Sequence, residues 1–160
     1  MTASPVLARP GKSYIPVFVD STSAVLSTML GWKATASETT IVDATPMLFD
    51  ITGIIGFGGA LQGTIVISVE KEVAFAASEI FLGDRPTQVD NDVRDLVAEL
   101  ANMIAGGAKE RIGLAAIALG LPTSVSGDGH VVNLDRGAVV ECVCFECPDG
   151  RISVMVAIRD

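Results

Sequence analysis

The chain is poor in aromatic residues, holds a single histidine, and nowhere concentrates positive charge. Phe, Tyr and Trp make up 5% of its 160 residues, against 49% hydrophobic residues overall. Its core must therefore be mainly Val, Ile, Leu, Ala and Met, and the length suits one domain, residues 1–160, with a full core. Lys and Arg number 11 and Asp and Glu 19, for a net charge of −8. The bases, Lys33, Lys71, Arg85, Arg94, Lys109 and Arg136 among them, are scattered and form no run. Nucleic-acid binding needs a positive footprint for the phosphates, and this sequence offers none. The same deficit argues against a self-sufficient site for a phosphorylated small molecule.

Cysteine is sparse as well. Cys142, Cys144 and Cys147 cluster near the end of one predicted strand, with 142 and 144 on one side of it. With His130 they could in principle hold zinc. His130, however, follows the turn Gly127-Asp128-Gly129 with no second ligand at a chelating distance. The better reading is three buried, reduced structural cysteines in a cytoplasmic protein, with no metal bound. Met1 to Lys12 lacks the apolar core of a signal peptide and is expected to be a loosely ordered segment. Residues 51–69 carry no charge, which is long enough to suggest a membrane span. The glycines at 53, 56, 58, 59 and 63 break that stretch into two strands about a turn, so no membrane insertion is expected. The same glycines are not a phosphate cradle. A strand follows them rather than a helix N-terminus, and no Gly-Lys-Ser/Thr comes after.

Periodicity gives the elements. A helix is predicted over 14–30, capped by Ser13, with Pro16 in its first turn and Gly31 at its end. Its apolar stripe is Ile15, Phe18, Thr22, Val25, Leu26, Met29 and Leu30. Strands follow near 37–45, 48–57 and 61–69, the last two joined by a turn between Gly58 and Gly63. A helix at 71–82 ends at Gly83, and a longer one, capped by Asp90, runs to Arg111. Strands are predicted again near 122–126, 131–135, 138–147 and 151–158, with Pro148-Asp149-Gly150 as a hairpin turn. An internal echo joins the halves. Phe57 precedes Gly63-Thr-Ile-Val-Ile-Ser-Val, and Phe145 precedes Gly150-Arg-Ile-Ser-Val-Met-Val. Each copy is a hairpin downstream of a helix, which predicts an α+β fold: one antiparallel sheet, covered by helices, from a duplicated helix-plus-strands unit.

The long helix carries the most specific pattern, Asp95-Leu-Val-Ala-Glu-Leu-Ala-Asn. At 3.6 residues per turn, Asp95, Glu99 and Asn102 share one face, opposite the apolar stripe of Val93, Leu96, Val97, Leu100, Ile104 and Ala108. The polar face is either the wetted side of an amphipathic helix or a working surface. Asn is a weak mid-helix residue, since its amide competes for backbone hydrogen bonds. Gly106 and Gly107 follow on what reads as the same exposed side, each costing about 1 kcal/mol against Ala. Such a face sacrifices helix stability to let another surface come close.

In this order of elements the motifs resemble the CheC/CheX/FliY group of chemotaxis phosphatases, and its CheX branch most closely. The matching residues are Tyr14-Ile-Pro-Val-Phe-Val-Asp and Met29-Leu-Gly, Gly53-Ile-Ile-Gly-Phe-Gly-Gly, Asp95 through Gly106, Leu121-Pro122 and the closing strand pair. A CheC-like protein carries two copies of the Glu-x2-Asn element, whereas this chain has one. The resemblance implies a CheC-like fold and hydrolysis of the aspartyl phosphate on a CheY-like response regulator. It implies that Asn102 orients the attacking water and Glu99 docks on a regulator lysine. Asp95 and Gly106 would belong to the partner-binding face. Mg2+ would come with the regulator rather than with this chain, and a homodimer is expected. The competing expectation is a non-catalytic module of the same fold that binds a response regulator or the flagellar switch.

Overall fold

A computed structural model describes residues 13–113 and 117–159; the segment expected to be loose, 1–12, lies outside them. Among the described residues three helices, α1 (Ile15–Leu30), α2 (Lys71–Leu82) and α3 (Asn91–Ile112), accompany eight strands. The strands are β1 (Thr35–Ala36), β2 (Thr40–Val42), β3 (Ile51–Gly59), β4 (Gln62–Val69), β5 (Ile117–Leu119), β6 (Thr123–Ser126), β7 (Val139–Cys147) and β8 (Gly150–Arg159). All belong to one antiparallel sheet.

The sheet is built about the pair β4 and β8, whose residues are buried on both faces, so these strands read as nearly unbroken apolar runs. The echo in the sequence has a direct structural meaning. Ile67 and Val154, each the fifth residue of its copy, lie opposite one another in the β4–β8 register. The two hairpins, β3–β4 and β7–β8, thus meet about a local pseudo-two-fold through that pair. Order along the chain repeats as well: a helix and two short strands precede each hairpin, with α2 inserted between the halves. The short strands are exchanged. β1 and β2 of the first half pair with β7 of the second, and β5 and β6 of the second half pair with β3 of the first.

One sheet face carries the helices. Ile51, Ile55, Phe57, Ile65, Ile67, Val143, Phe145, Val154 and Val156 meet Ile15, Phe18 and Leu26 of α1 and Val93, Val97, Ala101 and Ile104 of α3 in one core. Phe18 and Phe57 stack across it with centroids 6.0 Å apart. The other face holds a smaller cluster in which Val66, Val140, Met155 and Ala157 are covered by Val132, Leu134, Ala44 and Leu48. This explains why 131–135 is not the strand its alternation predicts. Val132 and Leu134 plug into the back of the sheet, and the segment forms no strand ladder; Leu134 N donates to Ala44 O in the neighbouring loop at 2.7 Å. Alternation reports which side chains are buried, not whether the backbone joins a ladder.

Other boundaries differ locally. The strand expected at 37–45 is two fragments, β1 and β2, and β5 was not anticipated. Ser13 does not cap α1: Tyr14 is the N-cap without a side-chain bond, while Ser13 Oγ donates to Glu141 Oε2 at 2.8 Å. Glu141 is a buried residue, and a buried carboxylate is costly unless donors reach it, so the Ser13 hydroxyl is engaged there rather than at the helix end. Pro16 does sit in the first turn of α1, and Gly31 ends that helix at φ +70.

Candidate functional site

Helix α3 is well specified by its sequence. Asp90 Oδ1 accepts from Val93 N at 3.0 Å, Asp92 lies in the first turn, and Lys109 and Arg111 lie in the last. Both charge sets oppose the helix dipole favourably. Val93, Val97, Leu100, Ala101, Ile104, Ala105 and Ala108 are buried. The helix lies directly against β3 at Gly53, where an added Cβ would stand 2.8 Å from the backbone oxygen of Val97. Glycine is needed there for closeness, and the contact fixes the height and rotation of the whole helix.

That rotation sets the opposite side toward solvent. Asp95 and Glu99 are exposed, Asn102 and Gly106 partly so, and the space above Gly106 is open. Asn102 Nδ2 donates to Glu99 Oε1 at 3.1 Å in an exposed setting. No bond to the carboxamide oxygen of Asn102 occurs among the described residues. The four residues singled out from the sequence therefore form one ridge. Gly107 does not belong to it. One helical step carries it round to α1, where an added Cβ would collide with Ser21 Oγ, the hydroxyl that donates to Ile104 O at 2.7 Å. Gly107 is small because two helices cross there.

Beside the ridge runs a groove of about 490 Å³, floored by Met29, Phe81, Leu82, Leu96 and Met103, with Asp92, Asp95 and Glu99 along its α3 edge. The sequence reading missed it. Met29 stands at a core position of the α1 stripe yet is 40% exposed, and Leu96 is only half-buried. Phe81 and Leu82 gave the one available signal: two large apolar residues in the last turn of a short helix, just before its terminating glycine.

The other chemistry-bearing residues are accounted for by structure. The cysteines are half-buried rather than fully buried. Cys142 Sγ contacts Ser153 Oγ at 3.2 Å, and burial raises its thiol pKa. Burial pushes Cys147 up to about 12, so it is a poor nucleophile near neutrality. Both ring nitrogens of His130 are engaged, Nε2 with Thr52 Oγ1 at 2.8 Å and Nδ1 with Gly127 O at 2.9 Å. Thr52 continues to Ser68 Oγ, which accepts from Phe49 N. If Nδ1 is protonated toward the Gly127 carbonyl, every donor in that chain finds an acceptor, as a buried network requires. Glu70 is held below the usual carboxylate range by its hydrogen bond to Arg151, which ties the end of β4 to the start of β8. The uncharged stretch 51–69 is the hairpin β3–β4, and no helix among the described residues is long and apolar enough to cross a membrane.

Comparison with known proteins agrees with this geometry. The family described as chemotaxis phosphatase CheX matches residues 51–146, which include α3 and its ridge. A CheC-like superfamily protein from Shewanella sp. PV-4 superposes with a TM-score of 0.83 at 26% identity, covering 92% of this chain and 97% of that one. The chemotaxis protein CheX of Vibrio vulnificus gives a TM-score of 0.83 at 26% identity, over 91% of this chain and 99% of its own. A CheX–CheY–BeF3–Mg2+ complex from Borrelia burgdorferi gives 0.75 at 24% identity, covering 92% of this chain and 99% of that one. A comparison with curated protein sequences found no match. The sheet of two meeting hairpins is the CheC-like fold, and with its matching α3 segment the chain belongs to the CheX family of chemotaxis phosphatases.

Proposed function

We propose that this chain hydrolyses the aspartyl phosphate of a CheY-like response regulator, with Asn102 orienting the water and Glu99 docking the regulator. The observation that carries this reading is the Glu99–Asn102 pair: adjacent, on a rigid helix, facing outward, and joined only by one exposed hydrogen bond. A purely structural Asn in the middle of a 22-residue helix is a poor choice on propensity. The family supplies a phosphatase activity, and its Borrelia relative was captured with CheY, beryllium fluoride and Mg2+.

An acyl phosphate is already reactive, so hydrolysis needs little covalent assistance. The step is in-line attack by water: a new P–O bond forms, the bond to the aspartate oxygen breaks, and the carboxylate departs with that electron pair. The water's proton passes to the phosphate released. The free carboxamide oxygen of Asn102 can accept from that water and hold it opposite the leaving oxygen, a role a glutamine performs in GTPases. Glu99, on the same ridge, can pair with a regulator lysine near the phosphoryl group. In this reading the Mg2+ and the phosphate-binding lysine belong to the regulator, which also places the reaction in the cytoplasm. Asp95 and Gly106 extend the docking face, the glycine by leaving room.

Phosphate release from a CheY-like regulator loaded with a small phosphodonor tests the proposal. Release accelerated by substoichiometric chain is expected; binding without release would make the protein a regulator-binding module. We also infer a homodimer, because the sheet ends on both sides in short outer strands, β1, β2, β5 and β6, two to four residues long, whose far edges pair with no other strand among the described residues. Sedimentation at twice the chain mass is expected, and monomer mass at micromolar concentration would contradict it.

A further inference from the structure

The groove beside Glu99 brings together the ends of two helices and the flank of a third. Met29 lies in the last turn of α1, and Phe81 and Leu82 lie in the last turn of α2. These three are 40%, 40% and 55% exposed, and they line one depression rather than being scattered. Grouped large apolar side chains of this kind mark an interaction surface.

Its charged side chains have one sign. Asp92, Asp95 and Glu99 follow one another along the α3 edge, and none has an ion-pair partner among the described residues. The C-terminal ends of α1 and α2 add the negative ends of two helix dipoles, each equivalent to about half a charge. Neither last turn contains a base, whereas the last turn of α3, away from the groove, has two. The complement to such a surface is an apolar side chain bracketed by Lys or Arg. An acidic or purely polar partner would leave the floor wet and meet repulsion at the rim.

We propose that this groove is the docking site for the response regulator, seating an apolar residue flanked by basic ones on the regulator surface next to its phosphorylated aspartate. This rests on the phosphatase reading and divides the labour within it: the groove selects and holds the regulator, and Asn102 acts on the bond. The groove is continuous with the ridge through Asp95 and Glu99, so a regulator seated there already faces Asn102.

The test uses the full chain and a CheY-like regulator in its beryllium-fluoride, Mg2+ form, chosen because the wild-type chain binds it. A double variant, Phe81→Ser with Leu82→Ser, should raise the Kd by about tenfold or more. With the phosphorylated regulator as substrate, its defect should fall on KM rather than kcat. Both residues lie outside the main core cluster, so a melting curve near that of wild type is expected. Asp95→Lys should weaken binding too and should reduce its salt dependence. Wild-type affinity in the double variant would overturn the proposal. So would a double variant that loses self-association but keeps regulator binding, because the groove would then be a subunit face. Asn102→Ala separates this inference from its parent. If that variant keeps its turnover, the catalytic assignment fails while the effect of the double variant on Kd still decides the groove.

Discussion

Replacing Asn102 by Ala will lower the rate of regulator dephosphorylation by about 100-fold, equivalent to about 2.7 kcal/mol of barrier, toward the regulator's unassisted rate. The loss of one group that holds an attacking water in line accounts for an effect of that size, since no other side chain on the ridge can replace it. Glu99 could accept from a water, but a carboxylate placed there would face the negatively charged phosphoryl oxygens and be repelled by them. The Kd for the beryllium-fluoride form of the regulator should change less than about twofold, because docking in this reading belongs to Glu99 and the groove. Folding will not be the cause. Among the described residues the Asn102 side chain makes one exposed hydrogen bond, and Ala is the better helix former by about 0.6 kcal/mol, so the melting temperature should hold or rise. Glu99→Lys gives the opposite pattern, weak binding with turnover limited by KM. Dephosphorylation by Asn102→Ala at the wild-type rate would disprove the assignment.

Gly53→Val will destabilise the protein by about 3 kcal/mol, and the reason lies in backbone rather than side-chain packing. A Cβ at Gly53 would meet the carbonyl oxygen of Val97 at 2.8 Å and the Cβ of Ala101 at 3.2 Å. The carbonyl is locked in the hydrogen bonding of α3 and cannot swing aside as a flexible side chain could. Either β3 bends away from its partner β4 or α3 lifts off the sheet. For a chain of this length the melting temperature should drop by on the order of 10 °C. Gly53→Ala, which introduces the same Cβ without branches, should lose less. The variant also connects scaffold and site. Val97 and Ala101 face the sheet just behind Glu99 and Asn102, so any protein that remains folded should also dephosphorylate more slowly. Unchanged melting in Gly53→Val would mean that α3 does not rest on β3 at this point.

The reach of the sequence varied with the range of the interaction. Asp90, Gly31, Gly83 and Gly113 act on their own helix ends, and the first three were predicted directly; the helices were placed to within a residue or so. The ridge was equally legible, because helical geometry alone assigns Asp95, Glu99 and Asn102 to one side. Ser13 went astray because its competing partner, Glu141, is far along the chain. Gly107 went astray because a glycine that admits solvent and a glycine that admits another helix look the same in one dimension. Met29 has core spacing, but it lies in the last turn of α1, where it is 40% exposed beside Phe81 and Leu82.

What the sequence by itself determined was the inventory: three helices, two long hairpins repeated at the level of sequence, and a polar ridge with a single Glu-x2-Asn. Each depends on contacts within a few residues, where periodicity and capping chemistry are decisive. Only the tertiary structure decided that the halves exchange their short strands, so that Ala36 pairs with Phe145 and Ile54 with Thr123. It alone covered the back of the sheet with 131–135 and opened the groove between the ends of α1 and α2 and the flank of α3. The physical reason is that a hydrophobic pattern encodes which side of an element avoids water. Which surface it avoids water against, and what is left uncovered, is settled only when distant segments compete for the same sheet.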